Sequence, residues 1–414
     1  MDELTKNIFK GERVIWVIYG FLVCISLVEG FSSQSFFVRN ASSTIGPLLQ
    51  HAGHLFLGFL AIIGILHCNY KYIRMIGWAA WIFSIILLLF TFFAGASVNG
   101  SARWIFGLQP SEIAKFGLIL SVADWIQRSK DPATPDYEQR NFKWLLLMIF
   151  VTCGLIFPGN LSTAALLFGV IFCMLFCGGI AFKRLAMLLG SAAAPVALII
   201  GLAFIIPQES FLDDENHVRK DLNVLQSGYY KVFGRAYTWK NRITRHGEED
   251  NGVNDTNRQV IYSQVAIAQG GLMPHMPGSS QLRNNLPQAY SDFVFSIVVE
   301  EGGALLGGIF VILLYVTLLW RAGHIATKST KVFPAVLAIG VSLMIVLQAL
   351  IHMLVCVALI PVTGQPLPLI TRGGTSILVS SVYFGLLLNI TNYAAQNQEA
   401  TPDVVTTESL EENN

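Results

Sequence analysis

The sequence predicts an all-α polytopic membrane protein with about ten transmembrane helices and a large external loop between the seventh and eighth. Three observations predict it. Hydrophobic side chains make up 53% of the 414 residues and charged ones only 13%, too apolar a balance for a soluble chain of this length. The apolar residues fall in runs of about twenty, enough for a helix rising 1.5 Å per residue to cross roughly 30 Å of hydrocarbon. Alternating strand patterns are absent, which argues against a transmembrane barrel.

The spans are read at about 14–32, 50–67, 76–97, 110–126, 143–158, 161–181, 185–207, 291–320, 333–360 and 371–393, the fourth and fifth being short. Lys and Arg fall in every second gap: Lys6, Lys10 and Arg13; Lys71 and Arg74; Arg128, Lys130, Arg140 and Lys143; Lys183 and Arg184; Arg321, Lys328 and Lys331. Short cytoplasmic loops carry that excess, so these gaps and both termini are expected in the cytoplasm. Residues 1–393 then form one membrane domain, and the acidic tail 394–414 is expected to be disordered. No cleavable signal peptide is evident in the first apolar run. A net charge of +1, with its dense basic stretch in a mixed-charge loop, argues against nucleic-acid binding. The six cysteines lie in or at the ends of spans and read as packing residues rather than disulfides or zinc ligands.

Four places depart from a plain helical bundle. The external loop, about 208–290, interleaves Arg235, Lys240, Arg242 and Arg245 with Tyr237 and Trp239. That pattern suits either a solvated loop or a segment on the outer leaflet that grips phosphate. At the start of the fourth span, Pro110 suits a first helical turn and Ser111 is placed to satisfy free N–H groups. Glu112 and Lys115, three apart, share a face of that helix, as a buried ion pair or as direct substrate contacts.

Asp292 opens the eighth span directly after the large loop, where the helix dipole alone favours a carboxylate. Glu300 and Glu301 lie two turns deeper, so at least one is expected to face a polar interior or a cation. Between the last two spans, the prolines and glycines of Pro361–Ser376 forbid a continuous helix. Irregular backbone near a membrane surface must be buried in protein or line a wet cavity. Arg372 beside Gly373 and Gly374 offers a guanidinium and backbone donors to an anion.

Together these segments resemble the SEDS family of shape, elongation, division and sporulation proteins. The resemblance runs through Asn99–Lys115, Gln264–Leu272, Leu286–Gly302, Gln348 and Pro361–Ser376, and is specific in combination and order. It implies the SEDS fold and a peptidoglycan glycosyltransferase that polymerises lipid II on the external face of the bacterial cytoplasmic membrane. The implied partners are a class B penicillin-binding protein and other divisome proteins. The Gln-Ala-Tyr-Ser-Asp version of the motif points to a division role more than an elongation role. Asp292 matches the family's essential Asp, as a base or as the ligand of a divalent cation, Mg or Mn. Arg103, Glu112, Lys115, Arg242, Arg245, Gln264, Gln288, Gln348, Thr363, Arg372 and Ser376 are the implied substrate-binding residues. Several positions depart from the pattern: Gln288 stands where Glu is usual, Asn160-Leu-Ser162-Thr163 replaces Asp-Leu-Gly-Thr, and His352 stands where Asn often does. A flippase or other transporter of lipid-linked substrates is the competing reading, since broken helices and intramembrane charges suit it equally.

Overall fold

The computed structural model describes residues 9–32, 45–94, 96–98, 101–105, 107–205, 257–283, 286 and 289–399. The chain is mostly helical: α1 Arg13–Ser32, α2 Ile45–Leu66, α3 Tyr70–Ala94, α4 Pro110–Ser129, α5 Tyr137–Ile156, α6 Leu161–Cys177 and α7 Phe182–Ile205. A short α8, Arg258–Gln269, falls within the expected external loop, most of which lies outside the described residues. Then come α9 Val294–Gly302, α10 Phe310–Lys328, α11 Val332–Cys356 and α12 Gly374–Glu399.

Among the described residues, six helical stretches are long and apolar enough to cross a membrane: Arg13–Ser32, Leu48–Leu66, Lys71–Thr91, Val294–Lys328, Val332–Cys356 and Gly374–Tyr393. The protein is therefore a multi-pass membrane protein. Helix α4 is twenty residues long and almost wholly buried, and it carries Glu112, Lys115, Asp124 and Arg128. It sits inside the bundle, where its charges find partners, rather than against lipid.

Helix α11 is central and packs on α4, α6, α10 and α12. Its apolar window is 67% buried and that of α12 72%, against 22% for α2 and α3, whose outer faces are left for lipid. Helices α3 and α4 approach closely at Gly117, where a Cβ would lie 2.5 Å from the Trp81 nitrogen.

Three local findings differ from the sequence reading. Residues Ala96–Val98 and Ser101–Trp104 form an antiparallel hairpin ahead of α4, where no strand was expected. Pro110 does occupy the first turn of α4, but Ser111 caps no backbone N–H; its hydroxyl accepts from Gln109 Nε2 at 3.2 Å. The expected eighth span is not one continuous helix, because a π-helical turn, Gly303–Ile309, separates α9 from α10.

The cause of that break is tertiary. The segment after α8 inserts beside it, so that Ala304 N–H donates to Gly271 O at 2.9 Å and Leu305 N–H to Leu272 O at 3.3 Å. Gly303 turns the chain at φ +66°, and a Cβ there would lie 2.5 Å from the Met273 carbonyl oxygen. Gly303→Ala combines a backbone conformation, φ +66° and ψ 174°, that is essentially confined to glycine and costs roughly 1–3 kcal/mol for other residues, with a backbone clash. A lowered melting temperature of the detergent-purified variant is the expected result, and an unchanged melt would refute the account.

Candidate active site

Asp292 does not open α9. It lies in the turn before the helix, which begins at Val294 with Phe293 as its N-cap. The Asp292 side chain is partly buried. Contacts from α11 and the segment after it hold the turn and the start of α9. The Cys356 thiol lies 4.0 Å from the Asp292 carbonyl, the Thr371 hydroxyl 3.4 Å from the Ser291 carbonyl, and Phe295 N–H donates to His352 Nε2 at 3.4 Å.

His352 in turn holds the irregular segment between α11 and α12. Because Nε2 accepts from a backbone N–H, the proton is assigned to Nδ1, which lies 2.7 Å from the Gln365 carbonyl. The Gln365 side chain donates to Thr163 Oγ1 at 2.7 Å, beside Asn160, whose side chain caps α6. His352 and Asn160, two departures from the family pattern, are thus both engaged in seating this segment. Its backbone turns at φ +59° at Ala358, +67° at Gly364 and +65° at Leu369. A buried leucine in that region is strained; it is held by burial and by the Tyr315 hydroxyl, which donates to the neighbouring Pro368 carbonyl at 2.6 Å.

Arg372 follows directly and is partly buried. Burial pushes its guanidinium below its ordinary value, and nearby Tyr290 opposes the shift. An arginine starts so high that it stays a cation across any working pH. Tyr290 belongs to the Asp292 turn, so a carboxylate and a guanidinium are mounted on two adjoining pieces of irregular backbone.

Beneath them runs a buried polar chain. Lys115 Nζ lies 2.7 Å from Glu112 Oε1 and 2.9 Å from Gln348 Oε1, and Gln348 Nε2 donates to the Pro366 carbonyl at 2.9 Å. Gln348, far from Glu112 and Lys115 in sequence, joins them in one chain that ends on the segment carrying Arg372.

Glu300 and Glu301 both face a polar interior, and their partners are largely backbone. Glu300 accepts from Gln281 N–H at 2.8 Å and from the Ser280 hydroxyl at 2.5 Å; Glu301 accepts from Gly278 N–H at 3.0 Å and contacts Ser32 Oγ. They fold the segment after α8 onto α9. Arg283 Nη1 lies 3.9 Å from Glu301 Oε1, and Glu29 of α1 is buried beside them with the same Arg283 nearby. Sequence reasoning missed Glu29 and Arg283, although a lone carboxylate inside the first apolar run was a usable signal. It also missed a relay in which His51 Nε2 meets Ser26 Oγ at 2.9 Å and Ser26 Oγ lies 3.4 Å from the Ile370 carbonyl. That relay ties α1 and α2 to the backbone two residues before Arg372.

The remaining expected residues are scattered. Thr363 and Ser376 are buried in the same segment and at the start of α12. Gln264 is exposed on α8, away from the buried chain. The Arg103 backbone lies in the hairpin and its side chain is outside the described residues, as are Arg242, Arg245 and Gln288. Among the described residues, no three His, Cys, Asp or Glu side chains gather to hold a metal.

The family model of cell cycle proteins built on FtsW, RodA and SpoVE matches residues 12–396. A probable peptidoglycan glycosyltransferase FtsW of Geobacter sp. (strain M18) is 25% identical over 92% of this chain and 96% of its own length. A protein of the same name from Haemophilus influenzae is 28% identical, covering 94% of this chain and 93% of its own. In fold, the chain is similar to one from a peptidoglycan synthase complex, with TM-score 0.67, 20% identity and 94% and 99% of the two chains covered. It is also similar to the Thermus thermophilus rod shape determining protein RodA, with TM-score 0.59, 19% identity and coverage of 92% and 97%.

Proposed function

This chain belongs to the FtsW, RodA and SpoVE family of cell cycle proteins, and on that premise we propose that it is a peptidoglycan glycosyltransferase polymerising lipid II during septal cell-wall synthesis. The observation that carries the reading is the partly buried Asp292 on a turn adjoining the Arg372 segment, in a chain whose full-length relatives bear that enzyme's name.

The chemistry joins an acceptor sugar hydroxyl to the anomeric carbon of a lipid-linked donor. As the new C–O bond forms, the bond from that carbon to the diphosphate oxygen breaks, and the lipid diphosphate leaves with the electron pair. Asp292 takes the hydroxyl proton, and partial burial suits a carboxylate to that task. Arg372, a permanent cation with glycine N–H groups beside it, balances the charge that develops on the diphosphate. Arg103, Arg242, Arg245 and Lys115 remain candidates for further charge stabilisation. No second carboxylate is needed, since diphosphate leaves unprotonated. If a divalent cation such as Mg or Mn takes part, Asp292 would hold it together with phosphate oxygens of the substrate, the usual arrangement for a hard cation with few protein ligands.

The reading also includes ten spans, both termini in the cytoplasm of a bacterium, and the reacting groups on the external face of its inner membrane. Helices α4, α5, α6 and α7, with 20, 20, 17 and 24 residues, supply the remaining lengths. The catalytic partner is a class B penicillin-binding protein, within a complex of other divisome proteins.

The test is polymerisation of lipid II by the purified chain with its class B partner, read as glycan strands on a gel. Strands are the expected product. Movement of lipid II across liposomes without strands would replace this reading with the transporter one. Depletion in cells separates the roles, with filamentation expected for division and rounding for elongation.

A further inference from the structure

At the end of the bundle opposite Asp292, helices α3, α4 and α5 enclose a cavity of about 410 Å³ that the proposed reaction does not use. Its walls are aromatic: Trp78 and Trp81 of α3, Trp125 of α4, and Tyr137 and Trp144 of α5. Two of these rings are fixed by hydrogen bonds. Trp78 Nε1 donates to Asp124 at 3.0 Å and Trp81 Nε1 to Thr152 at 2.9 Å, so the groove is preformed. Trp144 is 65% exposed and Leu147 50%, which leaves one side open laterally.

The shape has a definite length. The groove follows α5 from Tyr137 to Val151, fourteen rises of 1.5 Å or about 21 Å. Hydrocarbon of a single leaflet is roughly 15 Å deep. The groove therefore takes one leaflet's acyl chain and extends a further turn to headgroup level, where Tyr137 and Arg140 stand.

Charge at that mouth is positive and available. Asp124 is taken by Arg128 at 2.9 Å, and Glu138 pairs with Arg184. Arg140 is 73% exposed and touches exposed Asp136 at 3.9 Å, too loosely to withhold it from a phosphate. It lies one helical turn before Trp144, on the stripe of α5 that continues through Leu147 and Val151. The geometry points to a binding site for one anionic phospholipid, its acyl chain against the tryptophans and its phosphate on Arg140. Lys143, exposed on the same helix, lies within one turn of Arg140 and adds a second positive charge to this stretch of α5. The site stands independently of the glycosyltransferase reading.

The test incubates the full-length protein in detergent with palmitoyl-oleoyl phosphatidylglycerol, or with the phosphatidylcholine of the same chains, and counts retained lipid by native mass spectrometry. Wild type is expected to retain one phosphatidylglycerol about tenfold more readily than phosphatidylcholine, the scale of one or two headgroup-facing charges. Arg140→Glu is expected to abolish that preference. Leu147→Trp, which fills the groove and leaves Arg140 in place, is expected to lower retention of both lipids. Both side chains are exposed, so the variants should fold, and a thermal melt checks it. Equal retention of the two lipids by wild type, or undiminished retention by Leu147→Trp, would overturn the site. So would a photocrosslinker at position 147 that captures a protein helix and no lipid.

Discussion

Replacing Asp292 by alanine is expected to cut strand synthesis from lipid II by about 10²–10⁴-fold, the usual contribution of a positioned general base, while leaving the protein folded. The turn keeps backbone anchors that do not depend on the side chain. Its anchors are the Asp292 and Ser291 carbonyls and the Phe295 N–H, all of them backbone groups. The assay is lipid II polymerisation by equal amounts of detergent-purified wild type and variant, each with the class B partner. Matched melting temperatures certify that any loss is chemical. Asp292→Asn keeps the shape and the hydrogen-bonding capacity but not the proton affinity, so it should be as impaired as alanine if the residue acts as a base. Robust strands from either variant would remove Asp292 from the reaction.

The second large effect is on stability. Lys115→Met leaves the Glu112 carboxylate, 3% exposed, without its counter-charge. Breaking a buried pair from one side costs about 3–5 kcal/mol, because an uncompensated charge remains. Gln348 also loses the ammonium that its carbonyl accepts from. A markedly lower melting temperature and poor yield are expected, and a wild-type melt for Lys115→Met would contradict this. The double variant Glu112→Gln, Lys115→Met removes both charges and should recover most of the loss. Specific activity of the folded fraction then separates the two readings of the pair. Retained activity in Glu112→Gln marks a packing role that seats the Pro361–Thr371 segment, whereas inactivity in a well-folded variant marks contact with substrate.

Much of this was legible in the residues. Continuous apolar runs announce membrane helices because hydrocarbon offers backbone groups no partners, so each segment must satisfy its own. Glu112 and Lys115 stood out for the same reason, since a charge in such a run has to be paired. The three-residue spacing already placed both on one face, and the 2.7 Å contact agrees. The prolines and glycines after Cys356 announced irregular backbone, and α11 does end there.

Other features depend on partners that no local pattern can reveal. That Glu300 meets backbone donors, and Glu301 both backbone donors and the Arg283 cation, was undecidable, because Gly278 to Arg283 come from a segment some twenty residues away in the chain. The break at Gly303 is invisible to hydropathy, since Val294–Lys328 reads as one long apolar stretch; it exists because Gly271 and Leu272 carbonyls reach in and compete for the helix's own donors. His51, Ser26 and Ile370 belong to three separate elements and only meet on folding.

The sequence by itself thus determined a helical multi-pass membrane protein, the charged helix α4 and the irregular segment before α12, because each follows from short-range composition and the cost of charge in hydrocarbon. Tertiary structure alone decided that Asp292 sits in a turn rather than in a helix, and that His352 and Gln365 tie that turn to the Arg372 segment. It also decided that Lys115 reaches Gln348. Those outcomes turn on which distant donors and acceptors pack within about 3 Å of one another, information that resides in the packing of whole helices and in no single stretch of chain.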